Sequence, residues 1–229
     1  MNPISAPMVS NVEEWNDAFA REHNIDDYYA RSSFLIRWIE RVRHNHIREL
    51  LAARPGDRIL EVGCGGGHVL KMFPQCALTG VDVSGEMLAQ ARRNLDGYPV
   101  RLLKGEISGL DLPEHSFERI ICTEVLEHVV DPAALLGDMR RLLVPGGRLV
   151  VTFPNDALVN RVKSLIRATG LTLLPPFRRI SWGGDQYHLH QWRVREMRDL
   201  LSRRYSVVAA RFAPCRALAI RCCFACTPS

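Results

Sequence analysis

Two rhythms of apolar and polar positions run along the chain. The first is helical. In residues 32–53, SSFLIRWIERVRHNHIRELLAA, the positions Phe34, Ile36, Trp38, Ile39, Val42, Ile47, Leu50 and Leu51 fall on one broad apolar stripe. Arg31, Arg37, Arg41, Arg43 and Arg48 decorate the rest of the segment, and Pro55-Gly56 ends the helix. The second rhythm is a series of short apolar runs that predict strands: Ile59–Val62, Leu78–Asp82, Val100–Leu103, Phe117–Thr123 and Arg148–Phe153. A helix-like segment separates the first two. Helices over Gly85–Leu95, with Ser84 as N-cap, and over Pro132–Leu143, closed by Pro145-Gly146-Gly147, come later. Strand and helix in alternation call for a mostly parallel sheet wound on both faces. The rhythm breaks over 154–190. A basic amphipathic helix there sets Leu158, Val162, Leu165 and Ile166 against Arg161, Lys163 and Arg167, and a Pro-, Gly- and aromatic-rich stretch follows. It resumes with a helix Val194–Arg203 and two strands, Ser206–Phe212 and Ala217–Phe224, read as an antiparallel pair joined through Ala213-Pro214.

Composition narrows the class. A chain of 229 residues with 47% hydrophobic content suits one substantial α/β domain with attachments. No apolar stretch approaches the roughly 20 residues that span a bilayer. MNPISAPMVS lacks the basic-then-apolar order of a secretory signal, so a cytoplasmic location is expected. Thirty Lys and Arg against 25 Asp and Glu leave a net +5, spread along the chain without a nucleic-acid-binding signature. Seven cysteines, an odd number, argue against a disulfide framework. Cys223-x-x-Cys226 has no second pair, so these thiols read as part of a terminal strand and no metal is assigned.

The chemistry-bearing stretch is Arg58–Val83, RILEVGCGGGHVLKMFPQCALTGVDV. Gly63 permits a sharp turn out of a strand, Gly65 lets a ligand lie against the backbone, and Gly66 and Gly67 allow close packing. The dinucleotide fingerprint wants a glycine where His68 stands, and no Gly-Lys-Ser/Thr follows, which excludes an ATP phosphate loop. Asp82, 19 residues after Gly63, ends the second strand, where a carboxylate reaches both hydroxyls of a ribose. Glu61 beside the loop would repel a pyrophosphate and suits a ligand with a cationic amino acid end. The charge logic favours an adenosyl amino acid over NAD.

Glu61-x-Gly63-Cys64-Gly65-x-Gly67, then Asp82, then the segment Glu124-Val125-Leu126-Glu127-His128-Val129, then Pro145-Gly146-Gly147, strongly resemble class I S-adenosylmethionine-dependent methyltransferases, in particular those acting on quinones, lipids and small metabolites. The resemblance covers about residues 55–155 well and 190–224 loosely. It implies a seven-stranded α/β sheet with an antiparallel last strand, and S-adenosyl-L-methionine as cofactor. It assigns the nucleotide loop to Glu61, Gly63, Cys64, Gly65 and Gly67, and the ribose acid to Asp82, followed by Val83. It sets Glu106 on the adenine amine, Ile107 against the ring, and Thr123 and Glu124 beside the methionine part. It implies a cofactor-binding domain over 55–229, with an acceptor-pocket insert at 154–190; the helical segment within 1–54 reads either as a helix packed on the edge of the core or, with its aromatic leader, as an N-terminal helical lid over a ligand.

Methyl transfer to a hydroxyl needs a base. His128, just beyond the fourth strand, and His188 and His190, which share a face if extended around Leu189, are the candidates. Each also reads as a packing or loop-stabilising residue. With Asp185 and Tyr187, the latter two could orient a base or hold a metal. The aromatics Trp15, Phe19, Tyr28, Tyr29 and Trp38, and the insert's Leu171, Leu173, Leu174, Phe177 and Trp182, point to a small aromatic or lipid-like acceptor. The basic stretch 161–179, including Arg178 and Arg179, reads either as a solvated helix face or as a peripheral membrane contact. A protein methyltransferase and a catalytically silent cofactor-binding regulator stand as the other readings.

Overall fold

A computed structural model describes residues 33–169 and 188–229. The leader aromatics Trp15, Phe19, Tyr28 and Tyr29, the insert residues Leu171 to Trp182 with Arg178 and Arg179, and Asp185 and Tyr187 lie outside the described residues.

The elements run α1 (Phe34–Leu51), β1 (Arg58–Val62), β2 (Ala77–Asp82), α2 (Gly85–Asn94), β3 (Val100–Lys104), β4 (Phe117–Thr123), α3 (Pro132–Leu142), β5 (Leu143–Pro154), α4 (Asp156–Ala168), α5 (Val194–Leu201), β6 (Tyr205–Cys215) and β7 (Leu218–Pro228). The strands form one sheet in the order β3-β2-β1-β4-β5-β7-β6. β1 to β5 pair in parallel, and β7 runs against both β5 and β6. This is the expected seven-stranded, doubly wound arrangement with its antiparallel strand near the end.

Successive strand residues point to opposite faces, and both faces are covered. On one, Leu60, Ile120, Leu149 and Phe224 pack with Leu136 and Met139 of α3 and Met197 and Leu201 of α5. On the other, Ile59, Ile121, Val150 and Ala225 pack with Ile47, Leu50 and Leu51 of α1 and Leu88 and Ala91 of α2. Covered faces explain why the strands read as nearly continuous apolar runs rather than alternating ones. Helix starts are capped locally. Ser84 accepts from Met87 N at 3.2 Å, as expected for an N-cap, and Asp131 accepts from Ala134 N at 2.9 Å. All seven cysteines are unpaired, and Cys222, Cys223 and Cys226 are buried in β7. No helix of the described residues is long and apolar enough to cross a membrane.

Three expectations change. The segment after the glycine loop is a single 3₁₀ turn, Leu70–Met72, and not an α-helix. Only residues 63–76 join β1 to β2, and Pro74 removes a backbone donor within them. The hairpin turns at Arg216-Ala217. β6 continues through Ala213-Pro214, and Pro214 pairs with Ala219. β6 is the sheet edge, where a missing backbone donor is tolerated.

α1 lies against β5, β7 and β6, packed on the core as one of the two readings of this segment had it. Its apolar stripe is buried only from Ile39 onward, while Phe34 and Trp38 are 77% and 42% exposed. Lastly, Arg43 is not on a solvated face. It and Glu40 are both buried, for a reason that lies at the carboxyl edge of the sheet.

Candidate functional site

Strand order reverses between β1, which continues toward β2 and β3, and β4, which continues toward β5. Ligands of open α/β sheets bind beyond the carboxyl ends of the strands at this switch point. The loops leaving β1, β2, β4 and β5 meet there.

The loop after β1 is shaped by its glycines. Gly63 has φ +68°, and a Cβ on it would lie 2.4 Å from Cγ2 of Val125 in the post-β4 segment. Gly67, at φ +77°, brings the loop so close to α2 that a Cβ would lie 2.6 Å from Cδ1 of Leu95. Both positions therefore exclude a side chain by conformation and by space. The amides of Gly63 and Cys64 both donate to the Val81 carbonyl, at 2.8 and 3.0 Å. Asp82 Oδ2 accepts from Gly65 N at 2.8 Å and Oδ1 from Ser84 N at 2.9 Å. The carboxylate is thus clamped by a backbone amide at each of its oxygens.

Glu61 lies beneath this loop, 1% exposed. Its Oε1 accepts from Thr123 Oγ1 at 3.4 Å, while its Oε2 has no hydrogen-bond partner among the described residues. Burial pushes its carboxyl up to about 8. An orphaned buried acceptor of this kind suits a cationic group arriving from outside the chain.

Beyond β4 the backbone takes a left-handed step at Glu124, φ +54°, an uncommon conformation for a residue with a side chain. An ion network of buried and half-buried side chains holds it. Thr152 Oγ1 donates to Glu124 Oε1 at 2.9 Å, Arg221 Nε lies 3.4 Å from Glu124 Oε2, and Arg43 Nη1 lies 4.0 Å from Glu124 Oε1. Arg43 Nε also donates to Glu40 Oε2 at 2.7 Å, and Arg221 Nε to Glu40 Oε1 at 3.3 Å. Burial alone would raise the Glu40 carboxyl, but Arg43 and Arg221, with His44, hold it at about 2. The network explains why α1 buries two charges.

Three residues on, Glu127 is 1% exposed. Burial and the nearby Glu124 push its carboxyl well above the usual range, and Oε2 has no hydrogen-bond partner among the described residues. The Glu127 carbonyl accepts from Leu189 N at 2.8 Å and His190 N at 3.1 Å, which ties the end of the insert to the post-β4 segment. His188 is thereby set against His128, the rings meeting edge to face with centroids 5.1 Å apart. Nδ1 of His188 is 3.0 Å from Oδ1 of Asp156, a buried residue that opens α4. Asp156 Oδ2 also accepts from Trp192 N at 3.3 Å.

The loop residues, Asp82, Thr123, Glu124 and the pair His128–His188 therefore converge on one edge of the sheet. His188 and His190 do not share a face: His190 Nε2 contacts the Val129 carbonyl at 3.0 Å, and its ring stacks on Trp192. Cys64 is 5% exposed, and burial pushes its thiol up. Val83 is half-buried and Glu106 exposed at the ends of β2 and β3. Ile107, 1% exposed, is committed to the core and offers a ligand almost no surface. Arg43, Glu40, Arg221, Thr152, Glu127 and Asp156 were not singled out by sequence reasoning. Only Glu127, inside the Glu-x-x-Glu-His segment, had a local signal there. A surface cleft of about 580 Å³ lined by Arg58, Ala77, Val100 and Phe117 lies at the opposite, amino ends of the strands, away from all of these groups.

A family model described as a methyltransferase domain matches residues 60–151. An uncharacterised 37.1 kDa protein of a Streptomyces fradiae transposon is 41% identical over 113 residues, which is 47% of this chain and 33% of that protein. The ubiquinone biosynthesis O-methyltransferase of Alkalilimnicola ehrlichii is 31% identical over 143 residues, 60% of this chain and 58% of that enzyme. The chain thus covers less than two thirds of the length of these relatives. Two solved structures share the fold. The N-methyltransferase NodS of Bradyrhizobium japonicum, in complex with S-adenosyl-L-homocysteine, has a TM-score of 0.62 at 20% identity, over 83% of this chain and 87% of that one. A SAM-dependent methyltransferase from Aquifex aeolicus has 0.63 at 14% identity, over 93% and 99%.

Proposed function

Because the chain carries a class I S-adenosylmethionine-dependent methyltransferase domain, we propose that it moves a methyl group to an oxygen or carbon of a small aromatic or lipid-like acceptor. The observation that carries the reading is the trio at the switch point: a side-chain-free glycine cradle, the clamped carboxylate of Asp82, and the orphaned Oε2 of Glu61.

These residues fit the cofactor. Asp82 would accept from the two ribose hydroxyls, Glu61 would pair with the ammonium of the amino acid end, and Glu106 would meet the adenine amine. Val83 would flank the adenosyl part, and Thr123 and Glu124 the methionine part. Bound there, S-adenosylmethionine supplies a methyl on a positively charged sulfur that is a good leaving group. The acceptor atom must be held roughly 3 Å from that methyl, in line with the breaking bond and away from water. The O–C bond forms as the S–C bond breaks, and the hydroxyl proton must leave.

Among the three candidate histidines, His188 has the best base geometry. An Nδ1–H donated to Asp156 fixes the tautomer and leaves Nε2 to take the proton, with His128 beside it. His190 serves as a pin for the segment that carries His188. The relatives' O-methyl transfer in ubiquinone biosynthesis favours an oxygen as the acceptor atom.

The test is transfer of labelled methyl from S-adenosylmethionine to a panel of catechols, prenylated hydroxybenzoates and peptides. Turnover on the phenols is expected. Turnover on peptides alone would make the chain a protein methyltransferase. Cofactor binding with no transfer to any acceptor would make it a silent regulatory domain.

A further inference from the structure

We propose that Glu127, His128 and His188 form a binding site for one divalent transition-metal ion, at the carboxyl edge of the sheet. One ligand atom from each residue lies within 4.8 Å of the others. A carboxylate and two imidazoles are the donor set of borderline cations such as Zn²⁺, Co²⁺ and Mn²⁺. Donors on one ion at about 2.1 Å sit roughly 3.4 Å apart at a tetrahedral angle, so the side chains need close by no more than about 1.4 Å.

Two further observations point to a ligand. Glu127 is 1% exposed, yet its Oε2 has no hydrogen-bond partner among the described residues, an expensive arrangement unless a cation completes it. Asp156, also 1% exposed, holds Nδ1 of His188 at 3.0 Å. A carboxylate behind an imidazole is the usual outer shell of a metal-binding histidine, fixing the tautomer so that Nε2 is the nitrogen left to bind an ion. The backbone agrees: Leu189 N and His190 N both donate to the Glu127 carbonyl, so the segment bearing His188 is fastened to the residue supplying the carboxylate. The Cys223-x-x-Cys226 pair contributes nothing here, since its thiols are buried within β7.

Three protein ligands leave open positions for water or an acceptor oxygen. The ion's catalytic role rests on the reading of the chain as a methyltransferase; the site does not. An acceptor hydroxyl bound to the ion is acidified and loses its proton to solvent, after which the oxygen takes the methyl as the S–C bond breaks. With the ion present, both imidazoles are ligands and neither is the base.

The probe is Co²⁺, titrated into the chelator-stripped full chain and followed by visible absorption and calorimetry. One ion per chain is expected, with the spectrum of nitrogen and oxygen ligands and no thiolate charge-transfer band. Glu127→Gln and His188→Ala should each weaken binding at least about 10-fold, and Asp156→Asn about 10- to 100-fold, in proteins whose circular dichroism matches the parent. Excess Co²⁺ should raise the melting temperature of the parent and not of Glu127→Gln. Absence of Co²⁺ binding by the parent, equal affinity in Glu127→Gln and His188→Ala, or a thiolate band would overturn the site. Methyl transfer that survives chelation at full rate, with Co²⁺ binding confirmed, would overturn the role of the ion and return the proton to His188.

Discussion

Asp82→Ala is expected to weaken S-adenosylmethionine binding by about 100- to 10,000-fold, because two charge-assisted hydrogen bonds to ribose hydroxyls disappear together, at roughly 1.5–3 kcal/mol each. The loss has a second source inside the chain. The same carboxylate holds Gly65 N and Ser84 N, so removing it frees the tip of the glycine loop and the entry to α2. Asp82→Asn separates the two effects. An amide keeps one acceptor oxygen and no charge, so it should restore part of the affinity and most of the melting temperature. Calorimetric titration with S-adenosylmethionine, beside a thermal melt of each variant, makes the comparison. Unchanged affinity in a folded Asp82→Ala protein would reject the ribose role.

Glu61→Gln is expected to raise stability and lower cofactor affinity at once. The Glu61 carboxyl titrates near 8 in the folded chain because it is buried, against an ordinary value of about 4.3 when unfolded. The folded state therefore binds the proton more tightly. Its contribution to stability is complete below the unfolded value and drains away as pH rises toward 8, by about 1.4 kcal/mol per pH unit at most. Glutamine has no proton to lose. Relative to the parent, the variant without cofactor should grow more stable from about pH 5 to pH 8, with the widest gap in melting temperature at pH 8.

Affinity should move the other way. The cationic end of the cofactor pairs only with ionised Glu61, so parental affinity should climb up to about 10-fold per pH unit between pH 6 and 8, through release of one proton. In Glu61→Gln that slope should vanish and affinity should be lowest relative to the parent at pH 8. A variant that loses stability and affinity together, or keeps the parental pH slope, would show Glu61 to be a structural acid only.

The unit from Arg58 to Val83 was legible because each of its constraints is local. A glycine that must turn, an acid at a strand end and apolar runs of strand length leave marks within a few residues. Seven strands and their parallel rhythm were legible for the same reason, since covered faces leave continuous apolar runs. The length of the segment after the glycine loop was not, because a helical pattern in HVLKMF cannot overcome so short a connection ending at Pro74. Nor was the role of Arg43. Its spacing on α1, four residues from both Ile39 and Ile47, puts it on the buried stripe, but the groups that let a charge stand there are remote: Thr152, 109 residues away, and Arg221, which joins Glu40 across 181 residues. Asp156 escaped notice because its partner, His188, stands 32 residues on, at the far side of the insert. The histidines were visible as candidates, but which pair would meet depended on Glu127 fastening the backbone of Leu189 and His190.

The central claim is that this carboxyl edge binds an adenosyl amino acid rather than a dinucleotide. The most direct measurement is an equilibrium titration of the full chain with S-adenosylmethionine, S-adenosylhomocysteine and NAD under one buffer. S-adenosylmethionine and S-adenosylhomocysteine should saturate a single shared site that NAD does not displace. Saturable NAD binding, with neither sulfonium nor thioether ligand taken up, would contradict the account.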